Sequence, residues 1–337
     1  MAEIIKMTED YIDYCRDESR SVGYADSLSF PRTERDVKDI LKALAGSDCK
    51  ITVQGGRTGL AAAAVPYGGH IMNMSKMDRI LGMRHTDGRY FLRVQPGLLL
   101  MLLRQALSDR IFDTEGWDIE RMAALEDYKK DRPYFFPTDP TETSASIGGM
   151  VSCNASGAKS FRYGPARRHV SGIHVLLQDG DSVIVRRGEV KATGRQLKFT
   201  TKEGNTYDVN LPTYQMPQTK NASGYYAADD MDLVDLFVGA DGTLGMITEI
   251  EIELIPLPEV TWGISCFFES EDNALDFTEQ IRGKLPDISA IEFFDGPALD
   301  IIRDRKATGG ASYSVLPDLD KRINNCIYVE IEAYTEE

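Results

Sequence analysis

The sequence predicts a mixed α and β protein of two domains. Three observations carry this. The 337 residues suffice for two domains of common size, each with its own core. Segments with helical spacing are interleaved with β-branched runs and tight hairpin turns, the pattern of α/β or α+β layers. The double proline of "IPLPEV" (Ile255–Val260) marks a boundary, which gives a first domain over 1–259 and a second over 260–337.

The N-terminal "MAEIIKMTEDYIDYCRDESR" is charged and amphipathic and lacks the apolar stretch of a secretory signal. Behind it, Val37, Ile40, Leu41 and Leu44 keep helical spacing, and "TERD" from Thr33 reads as a capping box just after Pro31. "KITVQ" (Lys50–Gln54) is a short strand that runs into "GGRTGLAAAAVPYGG", too rich in glycine to continue as strand or helix. "HIMNMS" and "YFLRVQPG" read as strands and Leu98–Leu107 as a buried helix packed on them. Residues 113–132 are polar and partly helical in pattern, which predicts a surface insertion; 189–218 is expected to be another solvated stretch or a partner surface.

"HVSGIHVLLQDGDSVIVRR" is a hairpin turning at Asp179-Gly180, and 195–211 repeats the device around Glu203-Gly204-Asn205. In "MITEIEIELIPLP", Ile250, Ile252 and Leu254 share one face and Glu249, Glu251 and Glu253 the other, as in a half-exposed strand. The second domain reads as strand 263–268, helix 272–283, strand 288–294, helix 297–305, a further helix near Asp318–Asn325, and strand 326–334.

A formal net charge of −15 disfavours nucleic acid and anionic membrane surfaces, both of which need clustered Lys and Arg. The five cysteines are far apart, with no CxxC pair and no spacing suited to zinc or an iron–sulfur cluster, so no metal is expected. No run of 18 apolar residues occurs. These features describe an acidic, cytoplasmic, globular protein.

Three clusters stand out: "GGRTGL" (Gly55–Leu60), "SIGG" to "NASG" (Ser146–Gly157) and "GADGTLG" (Gly239–Gly245). Glycine lets a backbone reach positive φ and approach a ligand closely, and successive N–H groups in such turns bind anions. "TETSASIGGMV" offers a Ser or Thr N-cap before a small-residue helix turn whose unpaired N–H groups would face a phosphate. "TDP" (Thr138–Pro140) fixes the entry geometry. Neither G-x-G-x-x-G nor a P-loop is present, so the residues point to a phosphate-bearing cofactor without naming it.

The order of motifs does name one. "TVQGGRTGLAAAAVP", "VQPG", "FFPTDP", "SASIGGMVSCNASG", "YGPARRHVSGIHVLLQDG" and "KNASGYY" followed by "LFVGADGTLGMITEIEIELIPLP" resemble the FAD-binding domain of the vanillyl-alcohol oxidase and p-cresol methylhydroxylase (PCMH-type) superfamily. The similarity runs over about 27–258 and is strongest to the branch of D-lactate dehydrogenase and the glycolate oxidase FAD subunit. It implies an α+β fold: two α+β subdomains holding FAD, followed by an α+β cap that is incomplete here.

The resemblance also assigns positions. Gly55, Gly56, Arg57, Thr58, Gly59 and Leu60 form a first pyrophosphate loop. Pro137, Thr138 and Asp139, with Ser146, Gly148, Gly149, Asn154, Ser156 and Gly157, form a second wall. Gly242, Thr243, Leu244, Gly245 and Ile247 lie by the pyrophosphate and adenine end. "GGRTG" offers no His or Cys for a flavin link, and Cys153 reads as a buried small residue, so FAD is expected to be non-covalent.

The implied activity is dehydrogenation of a small D-2-hydroxy acid by hydride transfer to flavin N5, with electrons passed to a quinone or protein acceptor. Two alternatives stand beside it: an FAD-carrying chain completed by a partner or by further sequence, and an alkylglycerone-phosphate-synthase-like transferase. His70, His85, His169 and His174 read as structural or exposed, and the branch's C-terminal "HGxG"-like segment is absent, so no catalytic residue is assigned. Glu292 and Phe293 in "AIEFFDGPALDII" are candidates to approach substrate, equally readable as an ordinary buried strand before an N-cap at Asp295 or Gly296.

Overall fold

A computed structural model of the chain describes residues 3–46, 48–310 and 313–334. The chain divides into two compact units, Met1–Ala155 with Pro165–Pro256, and Ser156–Gly164 with Leu257–Glu337.

The first unit opens with β1 (Ile5–Lys6), β2 (Ser27–Ser29), α1 (Glu34–Leu44), β3 (Ile51–Gln54) and β4 (His70–Asn73). These strands form a sheet in the order β1-β2-β4-β3, in which β2, β4 and β3 are parallel. Helix α1 begins where the capping box predicts. Thr33 Oγ1 accepts from the Asp36 N–H and the Asp36 carboxylate accepts from the Thr33 N–H, both at 3.1 Å. Such a cap contributes about 1 kcal/mol. The helix buries Val37, Ile40 and Leu41 against Met72, Met74 and Met77.

Next come β5 (Ile80–Thr86), β6 (Arg89–Val94), α2 (Leu100–Asp109), α3 (Ile119–Lys130), β7 (Tyr134–Phe135) and α4 (Ile147–Ser152). After α5 (Ser160–Tyr163), which belongs to the second unit, the chain returns as β8 (Val170–Leu176), β9 (Ser182–Arg186), the hairpin β10 (Gln196–Thr200) and β11 (Thr206–Asn210), α6 (Leu233–Phe237) and β12 (Met246–Pro256). The large antiparallel sheet has the order β5-β6-β12-β8-β9, with β7 pairing the end of β12.

Its central strand β12 buries Ile250, Ile252 and Leu254 as the alternation predicts. The opposite face is less exposed than expected. Arg84 and Arg186 reach Glu251 from β5 and β9, Arg93 and Arg89 on β6 pair with Glu249 and Glu253, and Glu251 retains only 8% of its exposure. Arginines reach the glutamates of this central strand from both sides, from β5 and β6 on one and from β9 on the other.

Two sequence expectations are corrected in this unit. Residues 113–132 are not a surface insertion, because α3 buries Ala124, Leu125 and Tyr128 in the main core. The stretch 189–218 is likewise anchored there, through Leu197, Phe199 and Leu211. In both, a few apolar residues at helical or alternate spacing sufficed for packing despite the polar composition.

The second unit contains α5, β13 (Val260–Phe268), α7 (Glu271–Ile281), β14 (Ile288–Phe294), α8 (Gly296–Thr308) and β15 (Asn325–Ala333), with an antiparallel sheet in the order β13-β15-β14. Helix α7 covers Ile288, Ile327 and Val329 through Ala274. Lys159, just before α5, reaches Glu330 (2.9 Å) and the buried Glu332 (2.5 Å) on β15. The helix expected near Asp318–Asn325 is absent. Arg303 of α8 binds the carbonyls of Leu319, Asp320 and Ile323, and the Asp320 carboxylate takes the Arg322 N–H, so the groups a helix would use are committed elsewhere. Asp295 is the N-cap of α8, while Glu292 and Phe293 are exposed, which removes the buried-strand reading.

Candidate cofactor site

Each glycine cluster sits at the end of a regular element in the first unit. The first leaves β3, the second opens α4, and the third follows α6 into β12. Ser146 joins the first two. Its hydroxyl caps α4 by accepting from the Gly149 N–H (3.2 Å) and also accepts from the Gly56 N–H (3.1 Å). A Cβ on Gly55 would collide with Ser146 Oγ, and one on Gly56 would lie 2.6 Å from the Ser144 carbonyl, so glycine is what permits the approach.

The third cluster is tied to α4 by the Gly239 N–H to Val151 O (3.0 Å) and the Asp241 N–H to Ser152 O (2.8 Å). As a result, residues far apart in sequence line one narrow crevice: Gly55, then Gly148 and Gly149, then Gly242, Gly245 and Ile247, with Gln54, Pro96, Ser152 and Asp241 between them.

The remaining sequence-predicted positions are placed as follows. Arg57 has φ 59°, and its guanidinium turns to the N-terminal segment, 4.4 Å from the Tyr14 ring and bonded to the Asp13 carbonyl. Thr58 is half-buried and Gly59 exposed, and Leu60 is 80% exposed. Pro137 and Thr138 are buried, and among the described residues the Thr138 hydroxyl has no hydrogen-bond partner. Asp139 accepts from Arg104 Nη2 at 2.5 Å. Asn154 (φ 49°) accepts the Arg167 N–H through Oδ1 at 3.0 Å. Thr243 Oγ1 donates to Ala240 O and meets the Tyr225 hydroxyl at 2.7 Å. Leu244 packs on the main core. Ser156 and Gly157 fall in the second unit, where the Gly157 N–H donates to Ser160 Oγ.

One expected device is not present. The first N–H groups of α4 do not face outward for an anion, because Ile147 donates to Leu98 O, Gly148 to Pro96 O and Gly149 to Ser146 Oγ. α4 packs so tightly on the turn before α2 that the protein itself completes its N-terminus. The glycines serve close approach. The crevice they shape is lined by glycine backbone at Gly55, Gly148, Gly149, Gly242 and Gly245, which leaves main chain open to a ligand that approaches closely.

Cys153, expected to be buried, is exposed, and desolvation by the surrounding protein, with the Asp241 carboxylate, pushes its thiol up to about 11. Desolvation also raises the Asp241 carboxyl. The histidines are occupied. His70 is buried between the Ser27 and Ser29 hydroxyls, and burial pushes it down to about 4. His85 meets Asp127 and stacks on Tyr90, His169 packs edge-on to Phe136, and His174 lies 3.1 Å from the Glu34 carboxylate.

Residues 25–113 and 120–186 match a family described as FAD binding domain. This region is similar to FAD-binding domains. Similarity extends beyond it to a mitochondrial D-lactate dehydrogenase (cytochrome) of Arabidopsis thaliana, 28% identical over 94% of this chain and 44% of the relative. The glycolate oxidase subunit GlcD of Bacillus subtilis is 26% identical over 84% of this chain and 48% of its own. A D-2-hydroxyglutarate dehydrogenase of Stutzerimonas stutzeri is 26% identical over 85% of this chain and 49% of its own. The chain spans about half the length of these relatives. A solved alkyldihydroxyacetonephosphate synthase superposes with a TM-score of 0.64 over 98% of this chain and 53% of its own, at 14% identity, which shows the shared fold. The fold is α+β, as the resemblance implies.

Sequence reasoning missed Arg167, Asp235, Arg187, Tyr225 and Tyr226, which brace the walls from behind. "YGPARR" carries Arg167 and "KNASGYY" carries Tyr225 and Tyr226, while Arg187 and Asp235 lie outside the motifs.

Proposed function

We propose that the chain holds FAD non-covalently and takes part in dehydrogenating a small D-2-hydroxy acid, with electrons passed to a quinone or protein acceptor. The observation that carries the cofactor site is the convergence of three glycine clusters on one crevice of the FAD-binding domain. In this reading Gly55 to Leu60, Pro137 to Asp139, Ser146, Gly148, Gly149, Asn154, Ser156 and Gly157, and Gly242 to Gly245 with Ile247, are the residues that hold FAD. The domain occupies residues 1–259 and a substrate-side cap begins at 260. The substrate class rests on relatives named for D-lactate, glycolate and D-2-hydroxyglutarate.

Bound FAD supplies the hydride acceptor. The chain supplies a crevice lined by the Gly55, Gly148 and Gly149 backbone and by Met246 and Ile247, with walls whose spacing is set by the Gly56 N–H to Ser146 and the Gly239 N–H to Val151 O bonds. Cys153 is protonated at neutral pH and is a poor nucleophile, which supports a non-covalent cofactor.

The test is anaerobic flavin reduction by a panel of D-2-hydroxy acids. Bleaching by at least one acid is expected; protein with bound FAD that fails with every acid refutes the substrate class. If activity appears only with an added polypeptide, the chain acts as the FAD-carrying part of a larger enzyme. Product exchange without net flavin reduction would instead indicate alkyl-transfer chemistry.

A further inference from the structure

We propose that Arg167 is a positioning residue for FAD, setting the spacing between the second and third glycine walls of the crevice. The inference rests on the cofactor reading above. Arg167 is 9% exposed and touches both walls at once. Its backbone N–H is fixed by Asn154 Oδ1 at 3.0 Å, at the end of the wall that α4 begins. Its guanidinium closes the turn that leads into the third wall, donating through Nη1 to Asp235 O (2.6 Å) and through Nη2 to Val238 O (2.6 Å). Those carbonyls belong to the C-terminal turn of α6, immediately before Gly239.

The fit is tight on every side. Gly239 has φ 81°, and a Cβ there would lie 3.2 Å from both Arg167 Nη2 and Asn154 Cβ. The Tyr226 ring covers the guanidinium at 4.1 Å. Asp235 holds the charge at 3.3 Å and is itself gripped by Arg187 (2.9 and 3.0 Å), whose guanidinium also binds the Arg167 carbonyl (3.0 Å). Only a planar group with a donor fork can bind two carbonyls and a carboxylate while stacked on a ring. Lysine has the charge without the fork.

The main experiment measures FAD affinity, visible circular dichroism of bound flavin and thermal stability of the apo form for wild type, Arg167→Lys, Arg167→Ala and Arg168→Ala. Arg168 is the exposed neighbour and serves as control. Arg167→Lys is expected to weaken FAD binding at least tenfold and to change the flavin dichroism while the apo protein stays folded. Added methylguanidinium is expected to restore binding to Arg167→Ala, and Arg168→Ala to behave as wild type. Should Arg167→Ala not fold, Arg167→Lys still decides. Wild-type affinity and dichroism in Arg167→Lys, or a loss that only follows the unfolded fraction, would overturn the proposal. If wild type binds no FAD, the cofactor reading fails first, and that failure is distinct.

Discussion

Replacing Ser146 by alanine removes the one hydroxyl shared by two glycine walls. It is 1% exposed and accepts from both the Gly149 and Gly56 N–H groups. Loss of the N-cap costs about 1 kcal/mol. Loss of the second bond costs about another 1 kcal/mol, and a half-buried Gly56 N–H left without a partner adds up to about 1 kcal/mol more. The sum is about 2–3 kcal/mol, and at roughly 2–4 °C per kcal/mol for a domain of this size the melting temperature should fall by about 4–12 °C. Thermal denaturation followed by circular dichroism, with an FAD titration on the same samples, reads both quantities. FAD affinity should fall further than stability alone accounts for, because the lost contact is the one between the walls. A change below about 0.5 kcal/mol together with unaltered FAD affinity would refute the reasoning, since it would mean that Ser146 joins nothing.

Gly148→Ala should destabilise by about 1–3 kcal/mol, because its Cβ would lie 2.8 Å from the Pro96 Cα and carbonyl oxygen; urea unfolding checks this. His70 has a folded value near 4 against about 6.5 when unfolded, so its contribution is complete above pH 6.5 and is lost as pH falls towards 4. The loss is about 3 kcal/mol across that window, and His70→Asn should flatten the urea-midpoint profile there. Cys153 should alkylate slowly at neutral pH, with a rate rising towards half-maximum near pH 11; fast modification at pH 7 would contradict the raised thiol.

Much of this architecture was legible because local signals agreed. The Thr33–Asp36 box, the Asp179-Gly180 turn and the alternation of β12 each specify one structure, and outside 318–325 the second unit follows its strand and helix periods. The glycine clusters announced a ligand that approaches backbone, but their meeting on one crevice depends on long-range bonds such as Gly56 to Ser146, which no local pattern records. The misreadings share a cause. Polar composition hid the three buried residues of α3, and Arg303 holds the carbonyls of Leu319, Asp320 and Ile323 that a helix would use. Likewise the α4 N–H groups were taken by Leu98 and Pro96, elements remote from the motif that suggested an anion site.

The most direct measurement is an FAD titration of the purified protein, read by its visible absorption spectrum and followed by acid precipitation. Saturable flavin bands, with all colour released to the supernatant, are the expected result. No saturable binding would contradict the cradle, and flavin retained on the precipitated polypeptide would contradict its non-covalent character.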